Sequence, residues 1–116
     1  MHQAFNIAAL KLKEMKLEKG FKYAVITDID ETVLDNSPYS AMQIKKDVDF
    51  NSKDWITWGK LEKAKALPGA VEFFTLADSL GFSVFYISNR SNEQLQETIN
   101  NLKKWQLPNC DAKHVF

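Results

Sequence analysis

The chain has 116 residues, which suits one small domain built around a single core. Its 15 basic and 15 acidic residues cancel, and no basic stripe is interleaved with aromatics, so nothing marks a nucleic acid or an anionic membrane as partner. The single cysteine, Cys110, excludes an internal disulfide, and no apolar run approaches the roughly 20 residues of a membrane-spanning helix.

Residues 3–18 set Phe5, Ile7, Ala8, Ala9, Leu12, Met15 and Leu17 among lysines at helical spacing, with Gly20 as the stop. No basic-then-apolar signal segment stands ahead of them. Phe21 to Thr27 reads as a short buried strand. Residues 36–66 are more polar and place Trp55, Ile56, Trp58 and Leu61 on a helix that starts at Ser52 or Asp54. This stretch is predicted to be a cap or lid inserted between a strand and its partner helix, where such segments close over sites. The α/β core would then comprise residues 1–35 and 67–116.

Leu67-Pro68-Gly69 punctuates the chain, and a helix is predicted from there to Leu80, with Val71, Phe73, Phe74, Leu76 and Ala77 on its apolar side and Gly81 as its stop. Phe82 to Ile87 is the second strand. Ser91 and Gln94 match a capping box ahead of a helix carrying Leu95, Ile99, Leu102 and Trp105. Pro108-Asn109 breaks that helix, and residues 112–116 predict a third strand. The order β, insertion, α, β, α, β points to an α/β fold with a parallel sheet and right-handed crossovers.

Candidate chemistry falls at the ends of the first two strands, where ligands bind in open α/β sheets. After Tyr23-Ala24-Val25-Ile26 comes Thr27-Asp28-Ile29-Asp30-Glu31-Thr32. In an extended segment, residues two apart project to one side, so Asp28 and Asp30 can share a site. One carboxylate can attack phosphorus while a second gives and takes the proton. A magnesium ion would reduce the repulsion between nucleophile and phosphate. The competing reading makes Asp28, Asp30 and Asp35 turn and cap residues. A calcium loop is excluded, because Val33 stands at its glycine position and Tyr39 at its closing glutamate.

After the second strand come Ser88-Asn89-Arg90, ahead of a helix N-terminus suited to a phosphate. Alternatively Ser88 and Asn89 merely cap that helix and Arg90 is solvated. The joint placement of both polar clusters at one end of adjacent parallel strands favours a site.

The residues from Asp28 to Tyr39 resemble the first motif of haloacid dehalogenase-like phosphatases, and more narrowly that of the bacterial class C acid phosphatases, the lipoprotein 5′-nucleotidase group. Lys53-Asp54-Trp55, the stretch from Leu67 to Phe73, Phe85-Tyr86-Ile87-Ser88-Asn89-Arg90 and Gln3-Ala4-Phe5-Asn6 extend the likeness over nearly the whole chain. The resemblance implies a Rossmann-like parallel sheet with a small helical cap, incomplete at the C-terminus, and a phosphomonoesterase acting through an aspartyl-phosphate. It implies Asp28 as nucleophile and Asp30 as general acid and base. Magnesium would be held by the Asp28 carboxylate and the Asp30 main-chain carbonyl. Ser88 would hold the phosphate, with Thr32 and Asn89 around it. Trp55 would stack on a substrate base, with packing of the cap helix as its alternative role, and Asn36 would help to shape the pocket.

The family completes its site with a downstream lysine and an acidic motif. Lys113 lies too early for that lysine, and Asp111 is not at the acidic motif. The chain is therefore expected to be a fragment truncated at both ends, weak or silent in catalysis, with its first strand exposed as an edge that pairs with another copy. The family's extracytoplasmic location would follow from the resemblance alone. Two other readings remain beside the enzyme: a phosphate- or nucleotide-binding module without turnover, and a structural remnant.

Overall fold

The computed structural model describes residues 2–18, 20–46 and 52–116. Residues 47–51 of the predicted insertion lie outside the described residues.

The first helix, α1 (His2–Glu14), stops four residues short of Glu18, where Met15 and Leu17 are left exposed. It carries Phe5, Ala8, Ala9 and Leu12 onto the core. Phe5 meets α4 (Ala70–Ser79) through rings 5.6 Å from Phe73 and 5.8 Å from Phe74. Strand β1 (Ala24–Asp28) begins three residues later than predicted and runs through Asp28. It pairs in parallel with β4 (Ser83–Ile87), from Ala24 opposite Ser83 to Asp28 opposite Ile87.

The period of two along these strands divides the sheet into unlike faces. Tyr23, Val25, Val84 and Tyr86 enter the core with Phe74, Ile29, Val33, Leu34 and Leu102. Full burial of such a side chain stabilises by roughly 1.5–3 kcal/mol. Tyr86 is wholly buried and donates its hydroxyl to the Pro108 carbonyl at 2.8 Å. Burial raises its phenol well above the usual value, with smaller contributions from Cys110 and Asp78. On the other face Ile26 is 68% and Ile87 51% exposed. The first strand is therefore half-open rather than buried as predicted, because among the described residues it has β4 on one edge and a cover on one face.

The predicted third strand shrinks to a bridge between Val115 and Tyr86. Its residues are diverted into a turn in which His114 and Val115 donate to the Asp111 carbonyl at 3.1 and 3.0 Å. What remains still runs parallel to β4, with Tyr86 donating to His114 and Phe116 to Tyr86.

Three elements were not foreseen, two short strands and a helix ahead of the predicted one. Leu34–Asp35 (β2) and Lys65–Ala66 (β3) form an antiparallel pair, with Leu34 opposite Ala66. Between them lie α2 (Ser37–Lys46) and α3 (Ser52–Leu61). Asp35 starts α2 by accepting the Ser37 N–H at 2.8 Å. After β3, Pro68 and Gly69 (φ +87°) occupy the corner of a type II turn closed by the Ala70 N–H to the Leu67 carbonyl, a geometry that favours glycine.

The capping box at Ser91 does not form. Ser91 leads a 3₁₀ turn (Asn92–Gln94) before α5 (Leu95–Lys104), and its side chain makes no capping hydrogen bond. The tight turn sends the Gln94 side chain inward, where its carboxamide oxygen lies 3.4 Å from the Ser91 hydroxyl.

Candidate active site

The site starts in the turn that ends β1. Val33 and Leu34 both donate to the Ile29 carbonyl, and Glu31 donates back to Leu34 at 2.8 Å. Ile29 and Val33 anchor this turn in the core, while Glu31 takes a left-handed conformation (φ +62°). The result fixes the two aspartates differently. Asp28 accepts the Ile29 N–H through Oδ1 at 2.8 Å and keeps Oδ2 out of any hydrogen bond among the described residues. Asp30 is held by its neighbours on every side.

Arg90 is the chief of these. Its side chain is 3% exposed, and Nη2 donates to Asp30 Oδ1 at 2.7 Å while Nε lies 3.2 Å from both carboxylate oxygens. Nη1 reaches Thr98 Oγ1 at 3.3 Å, and the guanidinium stands 5.4 Å from the Trp55 ring centre. Ser88 adds a hydroxyl that accepts the Arg90 N–H at 3.0 Å and lies 3.4 Å from Asp30 Oδ2. From the other side the buried Asn36 donates Nδ2 to Asp30 Oδ1 at 2.8 Å and accepts the Trp58 indole N–H at 2.8 Å. Helix α3 is thereby tied to the strand end through Trp58, Asn36 and Asp30.

A cavity of about 530 Å³ opens over this arrangement. Asp28, Asp30, Asn89 and Arg90 line its strand side, Trp55 and Ile56 of α3 the side opposite, and Ser91 and Gln94 complete the wall. Asp28, Asp30, Asn89 and Trp55 therefore stand where the sequence puts a site. Ser88 sits behind the wall on Asp30. Asn36 is buried behind Asp30 rather than on the cavity, and Thr32 lies half-buried in the turn, away from the wall. Trp55 also packs edge-on against Tyr39, ring centres 5.2 Å apart, so its cap-packing role is present as well.

Sequence reasoning missed two members. Arg90, allowed for as a solvated cation, is the buried partner of Asp30; the signal was an arginine at the strand end beside an acidic one. Gln94 had been assigned to a cap. It is 1% exposed, and its carboxamide nitrogen has no hydrogen-bond partner among the described residues. Such an orphaned donor costs about 1–3 kcal/mol.

Among the described residues no group of three or more histidine, cysteine, aspartate or glutamate side chains is arranged to hold a metal. The donor set is nonetheless of the right kind for magnesium, which takes one or two protein oxygens and completes its shell with water and phosphate. Asp28 Oδ2 is free, and the turn's hydrogen bonds run from Leu34 to Ile29 and from Glu31 to Leu34, passing over the Asp30 carbonyl.

The family model for acid phosphatases of HAD superfamily subfamily IIIB matches residues 1–115. The chain belongs to this acid phosphatase family. Its fold agrees: the class C acid phosphatase from Bacillus anthracis superposes with a TM-score of 0.90 at 40% identity, over 98% of this chain and 48% of that one. The tungstate-bound form of that enzyme gives 0.88 at 38% identity, over 99% and 48%. Curated relatives include the stem 28 kDa glycoprotein of Glycine max, 34% identical over 88 residues (76% of this chain, 35% of that protein). Acid phosphatase 1 of Solanum lycopersicum is 33% identical over 82 residues, covering 66% of this chain and 30% of that protein. The chain thus spans about half the length of the solved phosphatases, at 48%, and about a third of these curated relatives.

Proposed function

We propose that the protein to which this chain belongs hydrolyses phosphate monoesters, 5′-nucleotides among them, with Asp28 as nucleophile. One observation carries the reading: Asp28 and Asp30 at the end of β1 meet Asn89 and Arg90 at the end of β4 in one cavity, joined by the 2.7 Å Asp30–Arg90 pair, with Ser88 behind it on Asp30. The free Oδ2 of Asp28 attacks phosphorus, the bond to the ester oxygen breaks, and an aspartyl-phosphate forms. Asp30 hands a proton to the departing oxygen and later takes one from the water that cleaves the intermediate. For the first of these steps one Asp30 oxygen must let go of Arg90. Ser88 and Asn89 place donors beside the phosphoryl oxygens. Magnesium, held by the Asp28 carboxylate and the Asp30 carbonyl, would supply neutralisation of phosphoryl charge.

The cavity volume falls within the range of small-molecule sites, and Trp55 offers a face for a planar base. A second reading, binding without turnover, is favoured by the full engagement of Asp30 and by a wall that has no lysine among the described residues. We also propose that the edge of β1 left unpaired among the described residues pairs with a second copy, which a monodisperse monomer in sedimentation would contradict.

Phosphate release from adenosine 5′-monophosphate, with magnesium or with EDTA, tests the main reading. The 116-residue chain is run beside the whole protein to which it belongs. Magnesium-dependent release by the whole protein, abolished by Asp28→Asn, is the expected result. Activity retained in Asp28→Asn overturns the nucleophile, and saturable binding without release favours the second reading.

A further inference from the structure

Helix α3 carries Gly59 in its interior, where glycine is a poor helix former, and the backbone there does not need glycine's freedom. Space is the reason for it. A Cβ at this position would overlap the Gln94 carboxamide nitrogen and come within 3.7 Å of Arg90 Nη1. That nitrogen is the buried donor without a partner. Two unfavourable local choices therefore meet at one point, where α3 touches the turn after β4, behind the cavity wall to which Gln94 belongs. Local rules broken together without a structural return mark functional positions.

We propose that Gln94 is a specificity-determining residue that donates its carboxamide N–H to a sugar hydroxyl of the substrate's leaving group. This rests on the phosphomonoesterase reading above. The strand-end residues Asp28, Ser88 and Asn89 take the phosphoryl group, and Trp55 takes a planar ring. The part of a nucleotide between those two is its sugar. Gln94 belongs to neither the strand ends nor the aromatic wall, and it holds a donor that has no acceptor in the protein. Gly59 leaves the niche in which the carboxamide nitrogen rests, and rotation of the side chain out of that niche presents the donor to the cavity that Gln94 lines.

The test uses the enzyme at its natural length and compares adenosine 5′-monophosphate with its 2′,3′-dideoxy analogue, which keeps the phosphate and base and lacks the hydroxyls. The unmutated enzyme is expected to prefer the hydroxylated substrate about tenfold in kcat/KM, the scale of one buried hydrogen bond. Gln94→Met, which keeps length and removes the donor, should bring that ratio close to one. Gln94→Leu, a second side chain without a donor, should do the same and covers the case in which Gln94→Met does not fold. A ratio near one in the unmutated enzyme, or a preference that survives both substitutions, overturns the proposal. If the unmutated enzyme hydrolyses neither substrate, the phosphomonoesterase reading itself fails, and the assignment of Gln94 falls with it.

Discussion

The β1–β4 sheet presents two faces drawn from the same two strands. On one, Val25, Val84 and Tyr86 pack into the core beside Phe74; on the other, Ile26 and Ile87 stand open. Both faces are apolar, so the difference lies in what covers them. Alternation tells which residues share a face, but only a packed helix turns that face into stabilisation. An open apolar face of this kind marks a surface built for a cover.

Core truncation breaks the comparison most strongly. Phe74→Ala should cost about 3–5 kcal/mol in urea unfolding, since the cavity it leaves is fully enclosed. A cost below about 1 kcal/mol would mean that the covered face is loosely packed.

The strand ends come next. Asp30→Asn leaves the Arg90 guanidinium buried with its main partner neutralised and should cost about 1–3 kcal/mol, reduced from a fully buried pair because Asp30 is 22% exposed. Arg90→Met in the same background should recover part of the loss. If the two substitutions add independently, the pair is not coupled in solution.

Alkaline pH probes the covered face alone. Burial, the largest effect, pushes the Cys110 thiol up from 9.0 to about 11. A raised value means that the folded state holds the proton more tightly. Its contribution is thus complete below pH 9 and is lost as pH climbs towards 11, by an amount on the order of 2 kcal/mol. Cys110→Ala should flatten that fall in a series of unfolding curves.

The smallest effect belongs to the open face. Ile26→Thr should change the stability of the 116-residue chain by less than about 0.5 kcal/mol. A cost near 2 kcal/mol for the same substitution in a longer form would show that the face is covered there.

These contrasts also mark where sequence reasoning ended. Strand pairing and the joint placement of Asp28, Asp30, Ser88 and Asn89 were legible because apolar runs end abruptly in polar clusters. The β2–β3 pair was not, since two residues per strand carry no periodicity. The third strand was overstated because Asp111 captures the backbone that would have extended it. Arg90 and Gln94 stayed hidden for another reason: charge and polarity predict exposure, and their burial depends on partners or gaps supplied by Asp30 and Gly59, far away in the chain.

Asp30 and Arg90 are separated by 60 positions. Their ion pair closes a long loop, and loop closure costs entropy before any contact rewards it. The pocket should therefore be a late event in folding. A chain leaving the ribosome would hold its two aspartates apart from their partners until β4 and the turn after it had emerged. Because the Arg90 guanidinium lies over Trp55, the emission of that indole would report the moment of assembly.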